Sequence, residues 1–110
     1  MPTTFDAYTR SLDLLRALVP VFAKTGASDT DLTDQMRRAA QSTTQNISEG
    51  NRRTGRDRAN RFRCACGSAD EVRACLDIAL ALGYLEREHV AVALDLVDRV
   101  VAMTFKLSRG

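Results

Sequence analysis

The chain has 110 residues, 45% hydrophobic and 27% charged, a size that suits one domain with one modest core. No run of 18 or more apolar residues is present to span a bilayer, and MPTTFDAYTR lacks the basic segment and apolar stretch of a secretory signal, so a cytoplasmic protein with no membrane contact is expected. Net charge is only +2, but residues 37–63 carry eight arginines against Glu49 and Asp57, a balance of +6, which leaves the rest of the chain at −4.

A first helix is expected over residues 5–22. Phe5, Tyr8, Leu12, Leu15, Val19 and Phe22 recur at alternating steps of three and four, the spacing of one packed helix face. Leu14, Leu18 and Val21 form a second row beside it. At about 100° per residue the two rows cover roughly 200° of circumference. A single bundle requires a stripe of little more than about 100°, so the excess predicts a second buried surface and hence assembly. Pro20 lacks a backbone donor and is expected to kink or end the helix.

KTGASDTD reads as a connection, with Ser28 or Asp29 as the cap of a second helix over residues 30–50. Leu32, Met36, Ala39, Ala40, Thr43 and Ile47 make its inner row, small enough for close helix approach. Beside it runs a polar row, Gln35, Arg38, Ser42, Asn46, Glu49 and Arg53. Two readings of that row stay open: a solvated flank, or a polar seam that sets register against a neighbouring helix or subunit. Glu49 and Arg53 pair at i, i+4 in either case.

Residues 50–55 connect to a third helix over residues 56–82, and Thr54 with Asp57 resembles a capping box. Phe62, Ala65, Ala69, Val72, Leu76 and Ala79 form its main row, with Arg63, Asp70 and Asp77 on the wet face. Glu71 projects among Cys64, Cys75 and Ile78, where a carboxylate needs a partner, and Arg38 is the one expected. Gly83 suits a helix C-terminus, and residues 83–85 turn the chain into a fourth helix over residues 86–107. Val90, Leu94, Val97, Val101 and Phe105 are its inner row, and it too is apolar over more than one face. Four helices on short connections, without strand alternation, predict an all-α, antiparallel up-down-up-down four-helix bundle spanning residues 1–110.

Reactive chemistry is poorly provided for. The odd number of cysteines argues against a disulfide framework. On a helix Cys64 and Cys66 point about 200° apart, while Cys64 and Cys75 share a face roughly 16 Å apart, beyond a disulfide's reach of about 7 Å. All three are expected to be small buried thiols. One histidine, His89, gives no basis for a metal or catalytic site within one chain, and phosphate loops, zinc spacings and nucleophile elbows are absent. No enzyme, catalytic residue, metal or cofactor is expected.

The segment containing Leu32-Thr33, Gln35, Arg37-Arg38-Ala39, Ser42, Asn46-Ile47, Glu49-Gly50 and Arg53 resembles the signature of a bacterial four-helix bundle family first noticed as reading frames in intervening sequences of 23S ribosomal RNA genes. Phe62, Gly67-Ser68, Glu71, Leu76 and Leu82-Gly83-Tyr84 fit the family's third-helix pattern. The chain departs from it in carrying Thr43-Thr44 where the family usually has Ile-Pro, and in lacking a tryptophan. The resemblance implies a left-turning bundle that assembles into a ring-like homopentamer. It also implies a more distant relation to accessory proteins of diversity-generating retroelements, which are basic pentameric barrels that engage a reverse transcriptase and nucleic acid.

Two functions follow as expectations. Arg52, Arg53, Arg56, Arg58 and Arg63 sit at one end of the bundle and suit the phosphate backbone of RNA or DNA. Phe62 is the one aromatic among them, so backbone and shape recognition is expected rather than base stacking. The alternative is a protein-protein scaffold or accessory subunit, for example for a reverse transcriptase, with no nucleic-acid contact.

Overall fold

Thr3 starts the first helix by a reciprocal cap: its hydroxyl accepts the Asp6 N–H at 3.0 Å, and the Asp6 carboxylate accepts the Thr3 N–H at 3.2 Å. The structure, a computed structural model, describes residues 3–110. Helix α1 (Thr4–Gly26) continues through Pro20, so of the two expected outcomes the helix does not end there. Both Pro20 and Arg16, whose carbonyl loses its helical donor, are exposed, so water meets the lost bond.

The order of the two apolar rows on α1 is also reversed. The core stripe is Ala7, Ser11, Leu14, Leu18, Val21 and Thr25, all buried. The row from Phe5 to Phe22 stands one residue, about 100°, around the helix, with Phe5 73% and Val19 63% exposed. Ser11 and Thr25 conceal the stripe in the sequence because they are polar by type. In the fold their hydroxyls donate to the Tyr8 carbonyl at 2.7 Å and the Val21 carbonyl at 3.1 Å, which makes their burial cheap.

Asp29 caps α2 (Thr30–Asn51), accepting the Leu32 N–H at 2.9 Å. Its second carboxylate oxygen accepts the Tyr84 hydroxyl at 3.2 Å, which ties the α3–α4 turn to this end of the bundle. The inner row of α2 is buried throughout, and so is that of α3 (Gly55–Ala81). Gly50, also buried, admits Phe62: a Cβ there would stand 2.9–3.2 Å from three ring carbons. Thr54 precedes α3 but makes no side-chain cap, and the Asp57 carboxylate of the expected capping box accepts from the Arg53 guanidinium at 2.8 Å.

Gly83, at φ +79°, closes α3 in a Schellman turn, with the Tyr84 N–H on the Ala79 carbonyl and the Gly83 N–H on the Leu80 carbonyl. In α4 (Arg87–Arg109) the buried stripe is Val90, Ala93, Leu94, Val97, Val100 and Thr104. Val101 is half-buried and Phe105 is 50% exposed, so neither belongs to the inner row as expected. Two successive steps of four from Val97 each turn the row about 40° outward.

The four helices form an antiparallel up-down-up-down bundle of 43 × 24 × 19 Å, with each helix packed on its chain neighbours and α4 closing against α1. Among the described residues there is no strand, and no helix is long and apolar enough to cross a membrane.

Candidate nucleic-acid interface

The up-down topology gathers the C-termini of α2 and α4 and the N-termini of α1 and α3 at one end of the bundle. Arg52, Arg53, Arg56, Arg58, Arg61 and Arg63 therefore meet Lys106 and Arg109, which the sequence places some fifty residues away. The far end instead holds Asp29, Asp31, Asp34, Asp77, Glu86 and Glu88 against Lys24 and Arg87, so the charge is polarised along the long axis.

The five arginines expected at the interface divide into two groups. Arg53 is half-buried between Glu49 at 2.9 Å and Asp57 at 2.8 Å. These hydrogen bonds hold its guanidinium above the usual arginine range and the Asp57 carboxyl below the usual carboxylate range. Arg58 lies over the Phe62 ring, 4.8 Å from its centroid, and donates to the Gly50 carbonyl at 3.4 Å. Both act as fasteners across the α2–α3 junction. Arg52, Arg56 and Arg63 are exposed and make no ion pair among the described residues. Arg56 and Arg63 flank Asn60 on one outward face of α3, where with Asp57 they line a shallow groove.

Sequence reasoning left out Arg61, Lys106 and Arg109. Arg61 is half-buried, with its Nε buried and unpartnered, and its charge adds to the lowering of Asp57. Lys106 and Arg109 carry no local motif, and favourable charge in the last turn of a helix accounts for them equally well. Helix order is the signal that brings them to this end.

The polar row of α2 also divides. Ser42, Asn46, Glu49 and Arg53 are half-buried toward α3. The Ser42 and Ser68 hydroxyls are 2.9 Å apart, and Asn46 Nδ2 donates to the Ser42 carbonyl at 2.9 Å and to its hydroxyl at 3.2 Å. Gln35 and Arg38 are exposed.

Glu71 is exposed as well, and no ion pair joins it to Arg38 among the described residues, so the expected partnership fails. Its surroundings are surface: Cys64 is exposed and Ile78 is 44% exposed, so water solvates the carboxylate. The expectation of three buried thiols holds for Cys75 alone, whose pKa burial raises, with the Glu71 charge adding to it. Cys66 is half-buried, its Sγ donating to the Val101 carbonyl at 3.7 Å. At the acidic end Glu86, Glu88 and His89 lie close enough to share an ion, but all are exposed and His89 Nδ1 already accepts the Glu86 N–H at 3.3 Å, a helix-start contact.

Fold and site together define an all-helical bundle module with one basic end and without an assembled set of reactive side chains among the described residues. The chain belongs to the 23S rRNA-intervening sequence protein family, whose model matches residues 3–106. Among solved structures it is similar to a protein of unknown function from the S23 ribosomal protein family of Bacteroides thetaiotaomicron VPI-5482. The TM-score is 0.84 and the identity 18%, over 94% of this chain and 99% of that one. At that identity the likeness is one of fold. No curated protein matches the chain.

Proposed function

We propose that this chain is a homo-oligomeric binding module that takes the phosphate backbone of RNA or DNA on its basic end. The observation that carries the reading is the trio Arg52, Arg56 and Arg63, exposed and without an acidic partner among the described residues, beside Lys106 and Arg109. Arginine bonds phosphate in bidentate fashion, and each neutralised phosphate releases counterions. The module acts by binding, and no catalytic step is assigned to it.

Repetition of the basic end around a symmetry axis multiplies a weak contact. The outward row of α1 supports such assembly: Phe5 and Val19 are largely exposed, and Tyr8, Leu12, Leu15 and Phe22 half-buried, along one flank of a helix. The ring-like homopentamer implied by the family resemblance is the assembly we favour. A monomer by light scattering at micromolar concentration refutes it.

The decisive experiment is fluorescence anisotropy with labelled RNA and duplex DNA between about 50 and 200 mM salt, with log affinity expected to fall by about 0.7–0.9 per phosphate contact for each unit of log salt. Binding indifferent to salt, or absent at the low end, sinks the reading. The same apolar row on α1 is the observation favouring the second reading, a scaffold or accessory subunit for another protein such as a reverse transcriptase. Recovery of a single protein partner from the native host, unaffected by nuclease, supports that alternative.

A further inference from the structure

Phe62, the aromatic inside the arginine stretch, is fully buried beneath Arg58 and is closed to any ligand. The fold supplies another. Phe105, on the last turns of α4, is 50% exposed. The Arg109 guanidinium stands 5.4 Å from its ring centroid, and Phe105 lines a shallow depression with Ala102, Lys106, Arg109 and Gly110.

Register sets that depression at the level of Arg63 on α3. The Cys66 thiol donates to the Val101 carbonyl, so residue 66 of α3 lies opposite residue 101 of antiparallel α4. One helical turn further toward the basic end, α4 reaches Phe105 and α3 reaches Phe62 and Arg63. Phe105 stands about 80° from the core direction of α4, on the side of α3. Arg63 is exposed, in the groove it shares with Arg56, Asp57 and Asn60. An exposed phenylalanine needs no explanation by itself, but here Lys106 and Arg109, neither in an ion pair among the described residues, line its depression. Half of its surface is thus in water where phosphates are attracted.

We infer that the Phe105 depression is a stacking subsite, in which Phe105 takes an unpaired base while Arg109 and, from the neighbouring helix, Arg63 hold the flanking phosphates, so that the basic end prefers single-stranded to duplex nucleic acid. The inference rests on the backbone-binding reading above. A duplex keeps its base faces inside its own stack, and one surface ring cannot reach them. A single strand exposes them, and every base has a π face, so the contact tolerates any sequence. The Arg109 guanidinium already lies over the ring, 5.4 Å from its centroid. A base entering there leaves the guanidinium beside the phosphate.

The chain has no tryptophan, so Phe105→Trp installs a single reporter at the subsite. With oligouridine of about 15 nucleotides its emission is expected to be quenched, and with an RNA duplex of equal length to be unchanged. Phe105→Leu, which keeps apolar bulk, is expected to weaken single-strand binding by about 5- to 150-fold, the range for loss of one base–aromatic stack. Duplex affinity and the thermal midpoint should stay near those of the parent chain. Unquenched emission with binding intact, or equal loss on both strand types, overturns the subsite and leaves the backbone reading standing. A lower mass of Phe105→Leu by light scattering assigns the ring to self-association and also overturns it. Absence of binding to either RNA at about 50 mM salt removes both proposals.

Discussion

The two flanks of α3 are built on opposite rules. On the side of α2 the junction is fastened by paired groups: Ser68 meets Ser42, Asp57 meets Arg53, and Phe62 seats on Gly50 beneath Arg58. On the outer face and the side of α4, Arg56 and Arg63 are exposed and unpaired among the described residues, and Phe105 of α4 is half-exposed. The first flank holds the molecule together, and the second has interactions to offer. The family-signature residues Ser42, Asn46, Glu49, Gly50 and Arg53 all lie at the first flank. Much of what is recognisable in this chain is therefore its fastening, and the proposed binding surface lies just beyond.

Variants on the two flanks should separate cleanly, stability moving with one and binding with the other. Phe62→Ala should have the largest effect, a loss of about 3–5 kcal/mol of folding stability seen as a fall in the urea midpoint. Replacing Arg52, Arg56 and Arg63 together by glutamine should leave that midpoint within about 0.5 kcal/mol. The same triple variant should reduce the salt slope of RNA binding by about two and weaken binding at least tenfold at low salt. An unfolding shift as large as the binding loss would erase the distinction between the flanks.

Gly50→Ala comes next. Alanine gains up to about 1 kcal/mol of helix propensity over glycine, but its Cβ would lie 2.9–3.2 Å from three carbons of a fully buried ring. Overpacking costs about 1–3 kcal/mol, so a net loss of about 1 kcal/mol is expected. Phe62→Leu in the same chain should relieve it, and a double-mutant cycle reads the coupling. A cycle on Ser42→Ala and Ser68→Ala should give about 0.5–1.5 kcal/mol, the net worth of one hydrogen bond.

The smallest effect is in pH. The Arg53 hydrogen bond holds the folded Asp57 carboxyl below its ordinary value, so this pair stabilises the fold above the unfolded carboxyl's pKa. The contribution is lost as pH falls through the depressed folded value, in the range below about pH 4. Asp57 is exposed and Arg53 only half-buried, so the pair is worth little, and Asp57→Asn should flatten only the acid shoulder of a stability–pH curve.

Much of this was legible beforehand, for identifiable reasons. The inner rows of α2 and α3 and the glycine ending α3 follow from periodicity and from backbone freedom at Gly83. The rows of α1 were not legible in the right order, because Ser11 and Thr25 look polar until their in-helix hydrogen bonds are seen. The Arg38–Glu71 pairing failed because sharing a side of the α2–α3 groove does not bring two exposed side chains together. Of the five arginines, their common location was readable. That Arg53 and Arg58 are spent on the α2–α3 junction was not, since Glu49, Asp57 and Phe62 become their partners only once two helices meet.

The sequence by itself determined four amphipathic helices, their connections, their up-down order and the concentration of arginine at one junction, because spacing and turn chemistry are local. Tertiary structure alone decided which row of α1 faces inward, which arginines stay free, and that Phe105, Lys106 and Arg109 join the basic end. Two rows 100° apart are equally helical, and the choice between them is made by what the neighbouring helices can bury. Groups some fifty residues apart become neighbours only through the antiparallel return of α4.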